Sequence, residues 1–174
     1  MILGPSVSEL KKCFPDKKFN LSTALRVGIQ TLEAVEDLHR IGYLHRDLKP
    51  GNFAIGRTET SQHRLIFVID FGLARRYLNH QGEIRTPREA AGFRGTVRYA
   101  PLNCHQGVEL SRRDDLESWV YMQIEITIGK LPWSSLTEKE EVYKLKISSQ
   151  KDGSLFKSCP KQYLLSLDYV FELK

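Results

Sequence analysis

One run of eight residues, His45-Arg46-Asp47-Leu48-Lys49-Pro50-Gly51-Asn52, constrains this chain more than any other feature. It reads as a loop, with a long helical pattern ending just before it and a short strand pattern beginning just after it. A second turn, Asp70-Phe71-Gly72, follows the apolar run at residues 65–69. Any fold the chain adopts must therefore carry a carboxylate, a lysine and an amide on one loop and a further carboxylate on another. Loops of this kind on a rigid scaffold are where proteins place their chemistry.

Around these loops the pattern is mainly helical. A turn at Gly4-Pro5-Ser6 opens a short helix through residue 12. Residues 21–41 form a long amphipathic helix, and Leu25, Ile29, Leu32, Val35 and Leu38 recur along it at helical steps as its expected buried face. Asn20 or Ser22 caps its start, and Gly42 stands where a helix end takes a left-handed residue. Tyr43-Leu44 is a brief strand, and residues 53–55 and 65–69 pair as a small hairpin. Residues 70–113 show no sustained periodicity and read as a long functional loop. Residues 115–128 form a core helix, with Trp119, Val120, Ile124, Ile126 and Ile128 covering most of its circumference, and Gly129 ends it. Thr137 and Glu140 have capping-box spacing for the next helix. Pro160 opens the last helix, whose apolar residues are Leu164, Leu165, Leu167, Val170 and Phe171. The lysines near 11–18 and 139–151 read as solvated faces. The expected fold class is mainly α with a small β-hairpin.

A chain of 174 residues is long enough for one domain with its own core. No apolar stretch approaches the roughly 18 residues of a membrane helix, so no membrane partner is expected. Cys13, Cys104 and Cys159 have neither pairing nor metal spacing, which fits a reducing compartment, cytoplasmic or nuclear. Cys104-His105 lacks the second pair that a metal site requires. The net charge of +5 favours acidic or phosphorylated partners. Arg75, Arg76, Arg85, Arg88, Arg94 and Arg98 concentrate after the second loop, but no aromatic stacking motif accompanies them, so no specific nucleic acid is expected. The chain is expected to be a monomer.

The two loops resemble those of protein kinases, the first as the catalytic loop and the second as the metal-binding loop. That resemblance implies ATP and Mg²⁺ as cofactors and proteins as substrates. Phosphoryl transfer rests on positioning and charge neutralisation. On this template Asp47 accepts the proton of the substrate hydroxyl. Lys49 neutralises the γ-phosphate and points to Ser/Thr specificity. Asn52 and Asp70 hold magnesium through oxygen ligands. His45 and Arg46 support the loop as structural residues, Phe71 packs, and Gly72 permits the bend.

Further segments are similar to the casein kinase I superfamily. They are Leu3-Gly4-Pro5-Ser6, the run Arg112-Arg113-Asp114-Asp115-Leu116-Glu117-Ser118, and Leu131-Pro132-Trp133. Pro87-Arg88, followed by Ala91-Gly92-Phe93-Arg94-Gly95-Thr96-Val97-Arg98-Tyr99-Ala100, most resembles the tau-tubulin kinase branch. The resemblance covers nearly all of residues 1–174 and implies a kinase C-terminal (large) lobe beginning at the hinge, with residues 70–101 as activation segment. Ile2, Leu3 and Ile69 would meet the adenine. Thr96 would bond Asp47 and Lys49 and seat the hydroxyl. Asp115 would hold the catalytic loop from below, and Arg98 with Lys130 would bind an acidic or pre-phosphorylated substrate group. No Gly-x-Gly-x-x-Gly and no Val-Ala-Ile-Lys-like strand occur in these residues, so the N-terminal β-lobe is expected to be missing. The chain alone is then expected to be inactive, the alternative being a catalytically dead binding module.

Overall fold

The computed structural model describes residues 3–173, so the expected adenine contact at Ile2 lies outside the described residues. The element order is α1 (Val7–Lys12), α2 (Leu21–Arg40), β1 (Tyr43–Leu44), β2 (Phe53–Ile55), β3 (Ile66–Val68), β4 (Arg75–Arg76), α3 (Leu102–His105), α4 (Arg112–Ile128), α5 (Lys139–Lys151) and α6 (Lys161–Glu172). It is a helix-rich architecture, as the sequence led one to expect. Its described sheets are two-stranded and antiparallel, β1 with β4 and β2 with β3.

Helix starts follow local chemistry. The Ser6 hydroxyl accepts the Glu9 amide while the Glu9 carboxylate accepts the Ser6 amide at 2.7 Å, closing a capping box on α1. Asn20 caps α2 by accepting the Thr23 amide at 2.8 Å, which settles the choice between Asn20 and Ser22. Gly42 follows α2 with φ of 88°, a left-handed turn that glycine adopts without a Cβ clash. Helix α4 begins at Arg112, ahead of the expected start at 115, because the Asp114 carboxylate reaches back to the Ser111 amide at 2.7 Å. The Thr137–Glu140 capping box does not form. The α5 N-cap is Glu138, without a side-chain cap bond.

The buried face of α2 differs from the expectation. Ala24, Gly28, Thr31, Val35 and Leu38 point inward, while Leu25, Ile29 and Leu32 are exposed by 44%, 59% and 37%. The reason is a close approach between α2 and α4. A Cβ on Gly28 would fall 2.7 Å from the Gln123 side-chain oxygen, and that side chain donates to the Ala24 carbonyl at 2.9 Å. Thr31 accepts the Trp119 indole N–H at 2.9 Å. Small and polar residues therefore fill the contact and the larger leucines flank it. Helix α6 shows the same displacement, with Tyr163, Leu167 and Val170 buried and Leu164 and Leu165 exposed.

The stretch 70–113 contains β4 and α3, elements too short to show a period in sequence. Two lysines read as solvated are buried. Lys11 pairs with Glu125 at 3.1 Å, and Lys146 is fully enclosed. The core runs through Leu48, Phe53, Tyr121, Met122, Ile124, Ile126 and Trp133, so the first loop is anchored in it through Leu48.

Candidate active site

The foundation of the site is Asp115, buried in the first turn of α4. Its Oδ2 accepts the His45 amide at 2.8 Å, and its Oδ1 accepts the Arg46 amide at 2.8 Å. His39, at the end of α2, meets Oδ2 through Nε2 at 2.9 Å. A buried carboxylate so supplied with donors fixes the loop backbone. Arg46 sits at φ 67°, an uncommon conformation for a side-chain-bearing residue, and its Nε donates to the Leu73 carbonyl at 2.7 Å. Burial and the nearby Arg75 and Arg88 lower the Arg46 pKa.

His45 is fully buried and bridges the two loops. Its Nδ1 accepts the Asp47 amide at 3.3 Å, which leaves Nε2 as the donor to the Ile69 carbonyl at 3.0 Å. The Phe71 ring lies 5.7 Å from the imidazole but is itself half exposed, so Phe71 packs on one side only. The bend expected at Gly72 falls instead at Asp70, which has φ of 63° and accepts the Gly72 amide at 3.3 Å.

Asp47 lies at the centre of the polar cluster. Lys49 Nζ donates to its Oδ2 at 2.6 Å and to Thr96 Oγ1 at 3.0 Å. The Thr96 amide donates to Asp47 Oδ1 at 2.8 Å. Asn52 Nδ2 donates to the Asp47 carbonyl at 2.9 Å. That orientation leaves Asn52 Oδ1 without a donor among the described residues. The backbone completes the link to the second loop, because the Ile69 amide donates to the Asn52 carbonyl at 2.9 Å and Asp70 follows directly. An exposed carboxylate and a free amide oxygen suit a hard cation that keeps waters and phosphate oxygens as its other ligands. Among the described residues no cluster of three or more His, Cys, Asp or Glu side chains forms a metal site, Cys104-His105 included.

Gly95 decides whether the cluster can close. It has φ of 98°, and a Cβ there would stand 2.8 Å from the Arg46 carbonyl and 3.3 Å from Asp47 Oδ1. Only glycine lets Thr96 come this near.

Two residues beyond Thr96, Arg98 donates to Glu125 Oε1 at 3.3 Å and to the Ser134 carbonyl at 3.0 Å, and its side chain remains 43% exposed. Lys130 is exposed, and no ion pair or hydrogen bond ties it to Arg98's partners among the described residues. The arginine concentration disperses in space. Arg75 and Arg88 converge on Glu109, while Arg98 goes to Glu125. Leu3 and Ile69 are partly buried, and the Gly4 amide beside Leu3 donates to the Ile55 carbonyl at 2.9 Å.

His39, Gly95, Glu109 and Glu125 complete the site, and the sequence reading missed them. Only Gly95, inside the segment that carries the tau-tubulin kinase resemblance, had a sequence signal to follow.

Comparison with known proteins shows the family. The model of the protein kinase domain family matches residues 5–166. The chain belongs to the protein kinase domain family. Its relatives include a probable serine/threonine-protein kinase of Dictyostelium discoideum, 43% identical over 97% of this chain and 35% of that protein. Serine/threonine-protein kinase spe-6 of Caenorhabditis elegans is 37% identical over 93% of this chain and 44% of that protein. This kinase-domain chain thus spans less than half the length of both relatives. No described helix is long and apolar enough to cross a membrane.

Proposed function

We propose that these residues form the catalytic lobe of a Ser/Thr protein kinase of casein kinase I type, nearest the tau-tubulin kinase branch, that transfers the ATP γ-phosphoryl group to protein hydroxyls. The observation that carries the reading is the closed set Asp47–Lys49–Thr96, with Asn52 bonded to Asp47, and with Asp70 next in sequence to Ile69, whose amide bonds the Asn52 carbonyl. Asp47 accepts the proton of the attacking hydroxyl. Its carboxylate is held on both oxygens, by the Thr96 amide and by Lys49, so it meets the substrate in a fixed orientation. Lys49, bonded to Asp47, would stabilise the charge of the transferred group. Thr96 Oγ1, accepting from Lys49, faces the same spot and seats the hydroxyl. Asn52 Oδ1 and the Asp70 carboxylate would hold Mg²⁺, which supplies charge neutralisation on the nucleotide phosphates. Leu3 and Ile69 offer the adenine an apolar rim. Residues 70–101 act as the activation segment, and the exposed part of Arg98 takes an acidic or phosphorylated substrate group, with Lys130 as its expected second cation.

These 174 residues by themselves present one wall of a nucleotide cleft. Charge stabilisation is weak where water enters. Purified alone with ATP, Mg²⁺ and casein, the chain is expected to label casein no better than its Asp47→Asn variant. Joined to a kinase β-lobe bearing a glycine loop and an ATP-positioning lysine, it should label casein, and Asp47→Asn should lower that rate about 10²–10⁴-fold. Equal rates for the joined wild type and variant would overturn the assignment of Asp47.

A further inference from the structure

Lys146 lies on α5 and has no solvent exposure. A lysine rarely gives up its hydration without full replacement of its partners. Here the replacement is complete. Its Nζ donates to the Val97 carbonyl at 2.9 Å, to the Ala100 carbonyl, and to His105 Nε2 at 3.2 Å. Three acceptors match the three protons of an ammonium. The rings of Tyr121 and Trp133 cover it, with centroids 5.0 and 5.4 Å away. Burial pushes the His105 pKa down to about 4, helped by Lys146 and Lys139, so the imidazole is neutral at pH 7 and free to accept at Nε2. Burial pulls the Lys146 pKa down to about 7, against the raising effect of Glu117 from α4 and Cys104 from α3, so the ammonium form prevails below pH 7. Tyr121 is the other titratable neighbour.

The two backbone acceptors flank Arg98 and Tyr99, and Thr96 immediately precedes them. Neighbouring bonds complete the anchorage of this turn. The Trp133 indole donates to the Arg98 carbonyl at 2.8 Å, and the Tyr99 hydroxyl donates to Glu125 at 2.6 Å. Thr96 in turn contacts Asp47 and Lys49. A rigid connection therefore runs from α5 through one ammonium to the groups that would face the substrate.

We propose that Lys146 is a positioning residue for substrate placement, its ammonium clamping the turn 97–100 so that Thr96 and Arg98 are held at fixed spacing from Asp47. The inference rests on the kinase reading of that site and adds a residue to it. Lys146 touches no substrate and acts through the backbone. Methionine at this position keeps most of the volume and removes every donor, leaving two buried carbonyls unpaired. Glutamine keeps one donor group and should behave between the two.

The test uses the whole chain, with K146M, K146Q and R98A compared with wild type at pH 6, where Lys146 is charged and His105 is neutral. Amide hydrogen exchange and the affinity for a fluorescein-labelled phosphoserine peptide are both read. K146M should speed exchange at residues 96–100 and weaken peptide binding, each by about tenfold, the loss expected of roughly one well-made buried hydrogen bond. Amides of α2 and the β2–β3 hairpin should keep wild-type exchange, which separates a local clamp from general loosening. K146Q should fall between K146M and wild type, and R98A, the control for the anion-binding side chain, should lose peptide binding. If K146M does not fold, K146Q carries the same comparison. Wild-type exchange at 96–100 in the lysine variants would overturn the proposal, as would loosening spread evenly over the chain. If the wild type binds no phosphopeptide, the proposed substrate side of Arg98 fails, while the exchange measurement still decides whether Lys146 holds the turn.

Discussion

At the scale of single residues, the site depends on backbone positions that other side chains cannot occupy. Gly95 combines a left-handed φ with a carbonyl at 2.8 Å from a would-be Cβ. Gly95→Ala should cost roughly 1–3 kcal/mol, measured by urea unfolding, because strain and the clash with Arg46 add. Wild-type stability in that variant would show that the Asp47–Thr96 contact is looser than described. Asp47, Lys49, Asn52 and Asp70 could be singled out in sequence because they lie in two short contiguous runs. Asp115 came only through the family resemblance, and Glu125 and His39 were not legible. Each acts across a long separation in the chain, His39 meeting Asp115 and Glu125 meeting Tyr99, and no local pattern records such a meeting. Arg98 was named as an anion ligand, and the fold adds that Glu125 already holds part of its guanidinium.

At the scale of elements, α2 shows how periodicity misleads when two helices approach closely. Apolar spacing marked Leu25, Ile29 and Leu32, but Gly28 and Thr31 hold the contact because their small side chains admit Gln123 and Trp119. The two faces make opposite predictions. Leu38→Ala, at a position 6% exposed, should destabilise by about 2–5 kcal/mol. Ile29→Lys, at a position 59% exposed, should change stability by no more than about 0.5 kcal/mol. Thermal or urea unfolding of the pair checks the orientation of the helix, and a large loss in Ile29→Lys alone would reverse it. Helix α4 was easier to read as a core helix, and it is buried on most sides. Its buried residues include Asp114, Glu117, Ser118 and Gln123, and two further acids reach the site: Asp115 supports the loop and Glu125 receives Tyr99 and Arg98.

At the scale of the whole molecule, titratable groups enclosed between α3, α4 and α5 link stability to pH. His105 is held near 4 in the folded chain against an ordinary value of 6.5, chiefly by burial. As pH falls from 6.5 towards 4, the unfolded chain takes up this proton first, so His105 withdraws stability across that window. Glu117 has the opposite sign. Burial raises its pKa from 4.5 to about 7, so its contribution is full below pH 4.5 and declines as pH rises through 7. Unfolding curves at several pH values should therefore show a shallower acid-side loss in His105→Gln than in the wild type. Identical pH profiles for the two proteins would mean that the imidazole is not enclosed as described. By itself, the sequence determined the helical class of the lobe and the identity of the loop groups, because both are written in contiguous residues and short periods. Tertiary structure decided which face of α2 is covered, that Lys11 and Lys146 are interior, and that Gly95 lets Thr96 reach Asp47. The physical reason is the same in each case: burial and close approach are properties of two segments meeting, and the chain records them on neither segment alone.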